Sequence, residues 1–274
     1  MGRRTVKRQG RSVEYDPDEL RKIAERAALE AAKLLRENVC SSSFTRGVGG
    51  DSIRADVIAE DYIIDLITRE GLELRIVSEE RGNLGEGELR AIIDPLDGSS
   101  NYAACIPIAS VSIAFAVGPR LRDVVAGAVA PVFHGDLFSF ARGRGCPLER
   151  GQRDHEVVVL YSEDPESFSS LLKVIWNRLS NAKIRNLGSA ALEIAYVAAG
   201  NLKLFADARG SLRNVDVAAS LGLLRECGGE AYGREGAVVD GSTDRVEVVG
   251  DVIASLDKEF ALAASLSLPR VRGS

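Results

Sequence analysis

The run D-P-L-D-G-S-S-N at residues 94–101 constrains this sequence more than any other segment. It follows the apolar segment 90–93, which is typical of a short β-strand, and Pro95 predicts that the strand ends there. On the turn that follows, Asp94 and Asp97 are three residues apart and can face one hard cation or a close pair. An isolated D-x-x-D-G run also fits an acidic surface turn with a serine cap, so acidic residues elsewhere must decide.

The turn offers the groups that a hard cation and a phosphate require. Besides the two carboxylates, the Leu96 carbonyl supplies a further oxygen ligand of the kind that Mg²⁺ prefers. The backbone N–H groups of Gly98 and Ser99 could hold the oxygens of an anion. The turn therefore predicts metal-assisted chemistry on a negatively charged group.

Other acidic residues favour a site over a surface turn. Glu79 and Glu80 follow the apolar segment 74–77, which is a second predicted strand. Asp216 lies at the start of one predicted helix, and Asp56 opens another. Each alone has an ordinary explanation, because acidic residues are favourable in a first helical turn. Together they predict a site for two or more Mg²⁺ ions.

These motifs resemble the hallmarks of the inositol monophosphatase and fructose-1,6-bisphosphatase superfamily, whose members are Mg²⁺-dependent, Li⁺-sensitive phosphatases. Residues 94–101 match D-P-[IL]-D-G-[ST]-x-N, and residues 79–80 match E-E. Residues 215–219 match W-D-x-A-[AG] with Val in place of Trp, and residues 188–191 match G-[ST]-A-A. The resemblance covers roughly residues 18–265 and is closest to short archaeal-type members, which are often active on both substrate types.

The resemblance implies the metal ligands. A first Mg²⁺ would be held by Glu79, Asp94 and the Leu96 carbonyl, and a second by Asp94, Asp97 and Asp216. A third, weaker ion would use Glu79 and the Ser- and Gly-rich loop at residues 40–51. Mn²⁺ would be a possible substitute.

It also implies roles in catalysis and substrate binding. Ser99 stands where the family usually has Thr, and it keeps the hydroxyl group. Hydrogen-bonded to Asp56, Ser99 would orient or deprotonate the attacking water. Glu79 would be the third catalytic residue. Gly98 and Ser99 would bind phosphate. The predicted substrate contacts are Gly188, Ser189, Ala190, Asp207, Arg209 and Arg213. The alternative for residues 207–213 is a solvated turn; in the functional interpretation an Arg binds a second phosphate bidentately.

Composition narrows the other possibilities. The net charge of −5 argues against a nucleic-acid or anionic-membrane binder, and no apolar run approaches a membrane span. The four cysteines show no C-x-x-C spacing, so reduced thiols of a cytoplasmic protein are predicted, with a disulfide left open. Because the sequence has only two histidines, a zinc site or a His-based nucleophile is not expected. The expected partner is a small sugar or inositol phosphate, and a homodimer is expected.

The pattern of elements predicts an α+β fold. Helices are predicted from Asp16-Pro17 to about residue 37 and over residues 53–70, followed by sequential antiparallel strands and then by β-α alternation. The resemblance further implies an α-β-α-β-α sandwich of the sugar phosphatase type. Its predicted parts are an arm at 1–15, an N-terminal α+β domain with an antiparallel sheet at 16–150 and a C-terminal α/β domain at 151–274.

The predicted function is hydrolysis of inositol-1-phosphate, fructose-1,6-bisphosphate or both. Two alternatives remain: a 3′-phosphoadenosine nucleotide phosphatase, and a regulatory binding protein on the same scaffold. A degenerate metal site would favour the regulatory protein, whereas Glu79, Asp94, Asp97 and Asp216 are all present.

Overall fold

The computed structural model describes residues 15–49, 52–149 and 155–270. Within these ranges the helices are α1 Pro17–Glu37, α2 Ser42–Thr45, α3 Arg54–Thr68, α4 Ser99–Ala103, α5 Pro165–Arg178, α6 Ala190–Ala198, α7 Asn214–Glu226 and α8 Lys258–Leu266. The strands are β1 Gly47–Gly49, β2 Ser52–Ile53, β3 Leu74–Ser78, β4 Gly82–Leu84, β5 Leu89–Asp97, β6 Ser110–Ala116, β7 Val124–Pro131, β8 Phe138–Ala141, β9 Val157–Tyr161, β10 Lys183–Arg185, β11 Leu204–Arg213, β12 Glu230–Tyr232 and β13 Val248–Ser255. The predicted arm and the predicted boundary near residue 150 lie largely outside the described ranges.

Two large sheets organise the fold. The first has the order β4-β3-β5-β6-β7-β8, and the second has the order β10-β9-β11-β13-β12. Strands β6 to β8 are sequential antiparallel neighbours, as predicted, and β5 also pairs antiparallel with β6. Strands β3 and β5 pair in parallel, so the first sheet is mixed. In the second sheet, β9 pairs in parallel with both β10 and β11.

The buried apolar side chains form three cores, each lying between a sheet and the helices packed on it. Helices α1 and α3 pack on one face of the first sheet, and α6 and α7 lie between the first and second sheets. Helices α5 and α8 cover the outer face of the second sheet. Because each sheet is apolar on both faces, it requires cover on both sides. The predicted α-β-α-β-α layering is confirmed.

Helix α1 forms for the reasons expected from its sequence. The Asp16 side chain accepts a hydrogen bond from the backbone N–H of Asp18, and Pro17 occupies the first helical position. Its buried face is built mainly from alanines, which allow the helix to approach β7 closely.

The prediction that Pro95 ends its strand is wrong. Strand β5 continues to Asp97, but its pairing with β6 is irregular between Asp94 and Asp97. Asp94 pairs with Ser112 and Asp97 with Ser110, so the two residues between the aspartates oppose only one residue of β6. This bulge tolerates the missing N–H of proline, and its extra residue restores the alternation so that both aspartates face the same side.

The expectation of reduced thiols is also wrong. Disulfides join Cys40 to Cys105 and Cys146 to Cys227, which are 65 and 81 residues apart in sequence. Such pairings are set by tertiary proximity, which sequence spacing does not report. In the described ranges, no helix is long and apolar enough to cross a membrane.

Candidate active site

The parallel pairing of β3 and β5 brings the acidic motifs together. Val77 pairs with Ile92 and Ser78 with Ile93, so both strands deliver the following residues to the same edge of the sheet. Glu79 therefore lies beside the bulge that carries Asp94. Asp216 reaches the same place from the first turn of α7, where it accepts a hydrogen bond from the backbone N–H of Arg213 at 2.8 Å.

Glu79, Asp94 and Asp216 form the cluster that could hold a metal ion. One carboxylate oxygen from each lies within 4.8 Å of the others. Burial and then the charges of Glu79 and Asp97 raise the pKa of Asp94 well above its usual value. Burial likewise raises the pKa values of Glu79 and Asp216, against the lowering effect of Arg213. A buried set of oxygen ligands whose charges repel one another fits a hard divalent cation.

Asp97 is held differently from the other three carboxylates. Its oxygens accept hydrogen bonds from Ser189 Oγ at 2.5 Å and from the backbone N–H groups of Ala190 and Ala191 at 3.0 and 2.9 Å. Asp97 thus caps the N-terminus of α6. Burial raises its pKa to about 7, against the lowering effect of Ser189. The predicted contacts at residues 188–190 lie at the cavity, but the first N–H groups of α6 already bind this carboxylate.

The turn after β5 packs tightly against the start of α6. Gly98 has φ +96°, and a Cβ there would lie 2.8 Å from the Gly188 carbonyl oxygen, so only glycine fits. Asn101 Nδ2 donates hydrogen bonds to the carbonyls of Ile108 and Leu187 at 3.0 and 2.6 Å. Ser99 begins α4 and lines the cavity. The segment is therefore anchored from both halves of the chain.

The expected hydrogen bond between Ser99 and Asp56 is not made among the described residues. Asp56 instead accepts a hydrogen bond from the backbone N–H of Ile53 at 2.6 Å, which caps α3. Burial raises its pKa to about 7, and the negative charges of Glu79 and Glu80 add to the effect of burial. Asp56 therefore belongs to the electrostatic surroundings of the cluster.

Arg213 lies inside the carboxylate cluster. Its Nη2 atom is 2.6 Å from Glu79 Oε1 and 3.1 Å from Asp216 Oδ1. Strand β11 ends at this residue and α7 begins at the next one, so the guanidinium connects the second half of the chain to the first sheet.

Arg209 lines the cavity, and contacts with Asp207 and Tyr161 fix its side chain. Its Nε and Nη2 atoms contact the Asp207 carboxylate, with Nη2 at 2.6 Å from Oδ2, and its guanidinium lies 4.4 Å from the ring centre of Tyr161. Asp207 is fully buried and does not line the cavity, so it contacts Arg209 and not the cavity. The alternative of a solvated turn at residues 207–213 fits only in part: residues 207, 212 and 213 pair with β13, whereas residues 209–211 lie in the irregular, exposed part of β11.

Two buried glutamates beside the site were not predicted. Glu193 accepts hydrogen bonds from Tyr161 Oη at 2.8 Å and from the backbone N–H of Leu187 at 2.9 Å, and burial raises its pKa to about 8. Glu60 accepts hydrogen bonds from Ser78 Oγ and from the N–H groups of Glu80 and Arg81. The sequence did contain a signal for Glu193, because it is the single acidic residue in the otherwise apolar helical segment A-A-L-E-I-A-Y-V-A. An acid in such a segment is expected to be buried with hydrogen-bond partners.

A cavity of 320 Å³ is lined by many of these residues. Its lining includes most of the predicted ligands and contacts, namely Glu79, Asp94, Leu96, Asp97, Gly98, Ser99, Gly188, Ser189, Ala190, Arg209, Arg213 and Asp216. Asp56 and Asp207 do not line it. The arrangement places an acidic cluster at one side and a cationic side chain, Arg209, at another.

Residues 16–267 match the inositol monophosphatase family. An inositol-1-monophosphatase of Aeropyrum pernix is 43% identical over 265 residues, which cover 91% of this chain and 97% of the relative. A fructose-1,6-bisphosphatase/inositol-1-monophosphatase of Thermococcus kodakarensis is 31% identical over 81% of this chain and 90% of its own.

Two further similarities bear on fold and function. The Nus factor SuhB of Escherichia coli is 34% identical over 76% of this chain and 82% of its own. A solved structure from Pyrococcus horikoshii, described as having similarities to inositol-1 monophosphatase, superposes with a TM-score of 0.75 at 23% identity. It covers 92% of this chain and 99% of its own, and at this identity it shows the fold alone.

Proposed function

This chain belongs to the inositol monophosphatase family and is a phosphomonoesterase, and we propose that it uses Mg²⁺ to hydrolyse both myo-inositol-1-phosphate and fructose-1,6-bisphosphate, the latter at the 1-phosphate. The proposal includes Mn²⁺ as a substitute and millimolar sensitivity to Li⁺. It also includes a homodimer and a division into units 16–150 and 151–274.

One observation carries the metal assignment: one carboxylate oxygen from each of Glu79, Asp94 and Asp216 lies within 4.8 Å of the others, and both aspartates are buried. Leu96, a buried residue of the β5 bulge, lines the same cavity, and its carbonyl would add a further ligand. These residues would hold the cations, with Asp97 completing the ligand set of a second ion. Divalent cations bound there would lower the pKa of a water and offset the charge of the phosphate.

The chain's own groups would then bind and orient the substrate. The backbone N–H groups of Gly98 and Ser99 would bind phosphate oxygens, and the Ser99 hydroxyl would orient the attacking water. Asp56, with its pKa raised to about 7, would accept a proton nearby. Because Asn101 of this turn donates hydrogen bonds to the carbonyls of Leu187 and Gly188 in the other half of the chain, the phosphate contacts need little reorganisation.

Arg209 supports the bisphosphate as a second substrate. Two of its nitrogen atoms bind Asp207, and Nη1 makes no hydrogen bond within the described ranges. A fixed guanidinium with free N–H groups at the cavity suits the distal phosphate of a bisphosphate. The T. kodakarensis relative is named for both activities, and the A. pernix relative for the inositol monophosphatase activity.

The test is phosphate release by the purified full chain from inositol, fructose and adenosine phosphates, with and without Mg²⁺. We expect Mg²⁺-dependent release from the first two substrates and little from 3′-phosphoadenosine nucleotides. If fructose-1,6-bisphosphate is ignored, dual specificity is wrong. Release that is unaffected by chelation would contradict the metal assignment. Titrating Li⁺ in the same assay tests the leaving-group metal site, and light scattering tests the dimer.

The similarity to a Nus factor does not favour a purely regulatory role. A binding protein without activity has no need for a buried carboxylate cluster, because uncompensated buried charges cost stability. All members of the cluster are present and gathered in this chain.

A further inference from the structure

Arg213 contacts two of the three cluster carboxylates at once. Nη2 is 2.6 Å from Glu79 Oε1 and 3.1 Å from Asp216 Oδ1, while the backbone N–H of Arg213 binds Asp216 Oδ2. Both oxygens of Asp216 are therefore occupied by a single residue. In the described ranges, no other Arg or Lys forms an ion pair with Glu79, Asp94 or Asp216.

The two contacts of Arg213 to Asp216 differ in kind. The hydrogen bond from the backbone N–H to the Asp216 carboxylate is part of the N-terminal cap of α7. This hydrogen bond can remain while Oδ2 or Oδ1 also binds a cation. The side-chain contacts place positive charge where a divalent cation would neutralise the same two oxygens. A guanidinium and a metal ion cannot both occupy that space, since the three carboxylates span only 4.8 Å.

We propose that Arg213 is an internal counter-cation that competes with the divalent metal for Glu79 and Asp216, and that metal binding releases its side chain into the cavity. In the metal-free protein the guanidinium offsets the repulsion among the three carboxylates. Once released, it lies at the same cavity as Arg209, with donors free for an anionic substrate. Metal loading thereby prepares the substrate site.

The position of Arg213 in the fold permits this exchange. The side chain is one-third exposed, so it can leave the cluster without opening the core. Its backbone is fixed by the junction of β11 and α7, so the movement is confined to side-chain rotation. Metal affinity is therefore reduced by the cost of breaking two ion pairs.

Calorimetric titration of the metal-stripped full chain with Mn²⁺, in the absence of substrate, tests this proposal. Arg213→Gln should bind Mn²⁺ about tenfold more tightly than wild type, because the competitor is gone. Thermal unfolding of the same variant without metal should occur at a lower Tm, because the carboxylates are no longer offset. A purely structural arginine would instead lower both metal affinity and stability when it is removed.

Arg245→Gln is the matched control, because Arg245 is exposed and its ion pair among the described residues is with Glu247, at 3.1 Å. It should bind Mn²⁺ as wild type does. If Arg213→Gln does not fold without metal, Arg213→Lys keeps the charge but loses the planar fork, and it should bind Mn²⁺ more tightly than wild type by a smaller factor. Equal or weaker Mn²⁺ binding by the folded variant overturns the proposal.

This inference rests on the metal site of the proposed function, and the titration separates the two. Absence of Mn²⁺ binding by wild type and by Arg213→Gln would contradict the metal site itself. Binding by both with equal affinity would leave the metal site intact and reject the competition by Arg213.

Discussion

Ser189 Oγ donates a 2.5 Å hydrogen bond to Asp97 Oδ2 across 92 residues of sequence. The same carboxylate accepts the backbone N–H groups of Ala190 and Ala191. Asp97 therefore fastens the bulge of β5 to the N-terminus of α6, so that a predicted metal ligand is also a helix cap. This carboxylate therefore joins the two halves of the chain at the cavity, together with the contacts of Asn101 to Leu187 and of Arg213 to Glu79.

Replacing Asp97 should reduce both activity and stability. Asp97→Asn weakens a cation ligand, so kcat should fall by about 10³ or more. It also replaces an acceptor with an amide group facing buried donors, which should cost about 1–3 kcal/mol of unfolding free energy in the metal-free protein. Steady-state assays and urea unfolding measure the two effects. Ser189→Ala is the control; it removes one hydroxyl and should keep activity within tenfold.

Asp216→Asn should act mainly on activity. Its carboxylate belongs to the cluster with Glu79 and Asp94, so its loss should lower kcat by about 10³ or more by disturbing a cation that stabilises transition-state charge. The asparagine can still cap α7, so the cost in stability should be smaller than for Asp97→Asn. Activity within tenfold of wild type would remove Asp216 from the metal ligands.

Local sequence signals indicated the helices, the strands and the acidic residues at strand and helix ends, while the layering and the ligand set followed from the family resemblance. The cap at Asp16 and Pro17, the apolar runs before Glu79 and Asp94, and the β-α alternation are each contained within a few residues. Parallel pairing of the two strands then follows from the fold, and it brings the acids together.

Features that depend on a distant partner were missed. The bulge at Pro95 is defined by its register with β6, and the disulfide between Cys146 and Cys227 by packing across the sheets. The capture of Arg213 by Glu79 joins residues 134 apart in sequence. No local periodicity encodes such contacts, because they arise only once the layers are assembled.

Arg209→Ala should separate the two proposed substrates. An arginine that binds a distal phosphate contributes mainly to ground-state binding, so KM for fructose-1,6-bisphosphate should rise by about tenfold or more. KM for myo-inositol-1-phosphate, which has no second phosphate, should change much less. Initial-rate measurements on both substrates give the comparison within one protein. Equal loss on both would mean that Arg209 is structural, through its contacts with Asp207 and Tyr161.

Glu193 should make stability depend on pH. Its pKa is raised by burial from 4.5 to about 8, so the folded chain holds this proton more tightly than the unfolded chain does. The protonated carboxyl therefore contributes stability that is fully present below about pH 4.5 and is lost progressively as pH rises to about 8. Glu193→Gln removes the titration but keeps a side chain able to bond with Tyr161.

Wild type should thus lose unfolding free energy relative to Glu193→Gln as the pH rises from about 5 to about 8. Above about pH 8 the difference between the two proteins should stay constant. Urea unfolding in the presence of a chelator measures it, and the other buried carboxylates cancel because they are common to both proteins. Glu163→Gln, at an exposed position, is carried through the same unfolding series as a control for the general effect of a Glu-to-Gln substitution. A difference for Glu193→Gln that stays constant with pH would mean that Glu193 is ionised throughout this range, with Tyr161 and the Leu187 N–H compensating its burial.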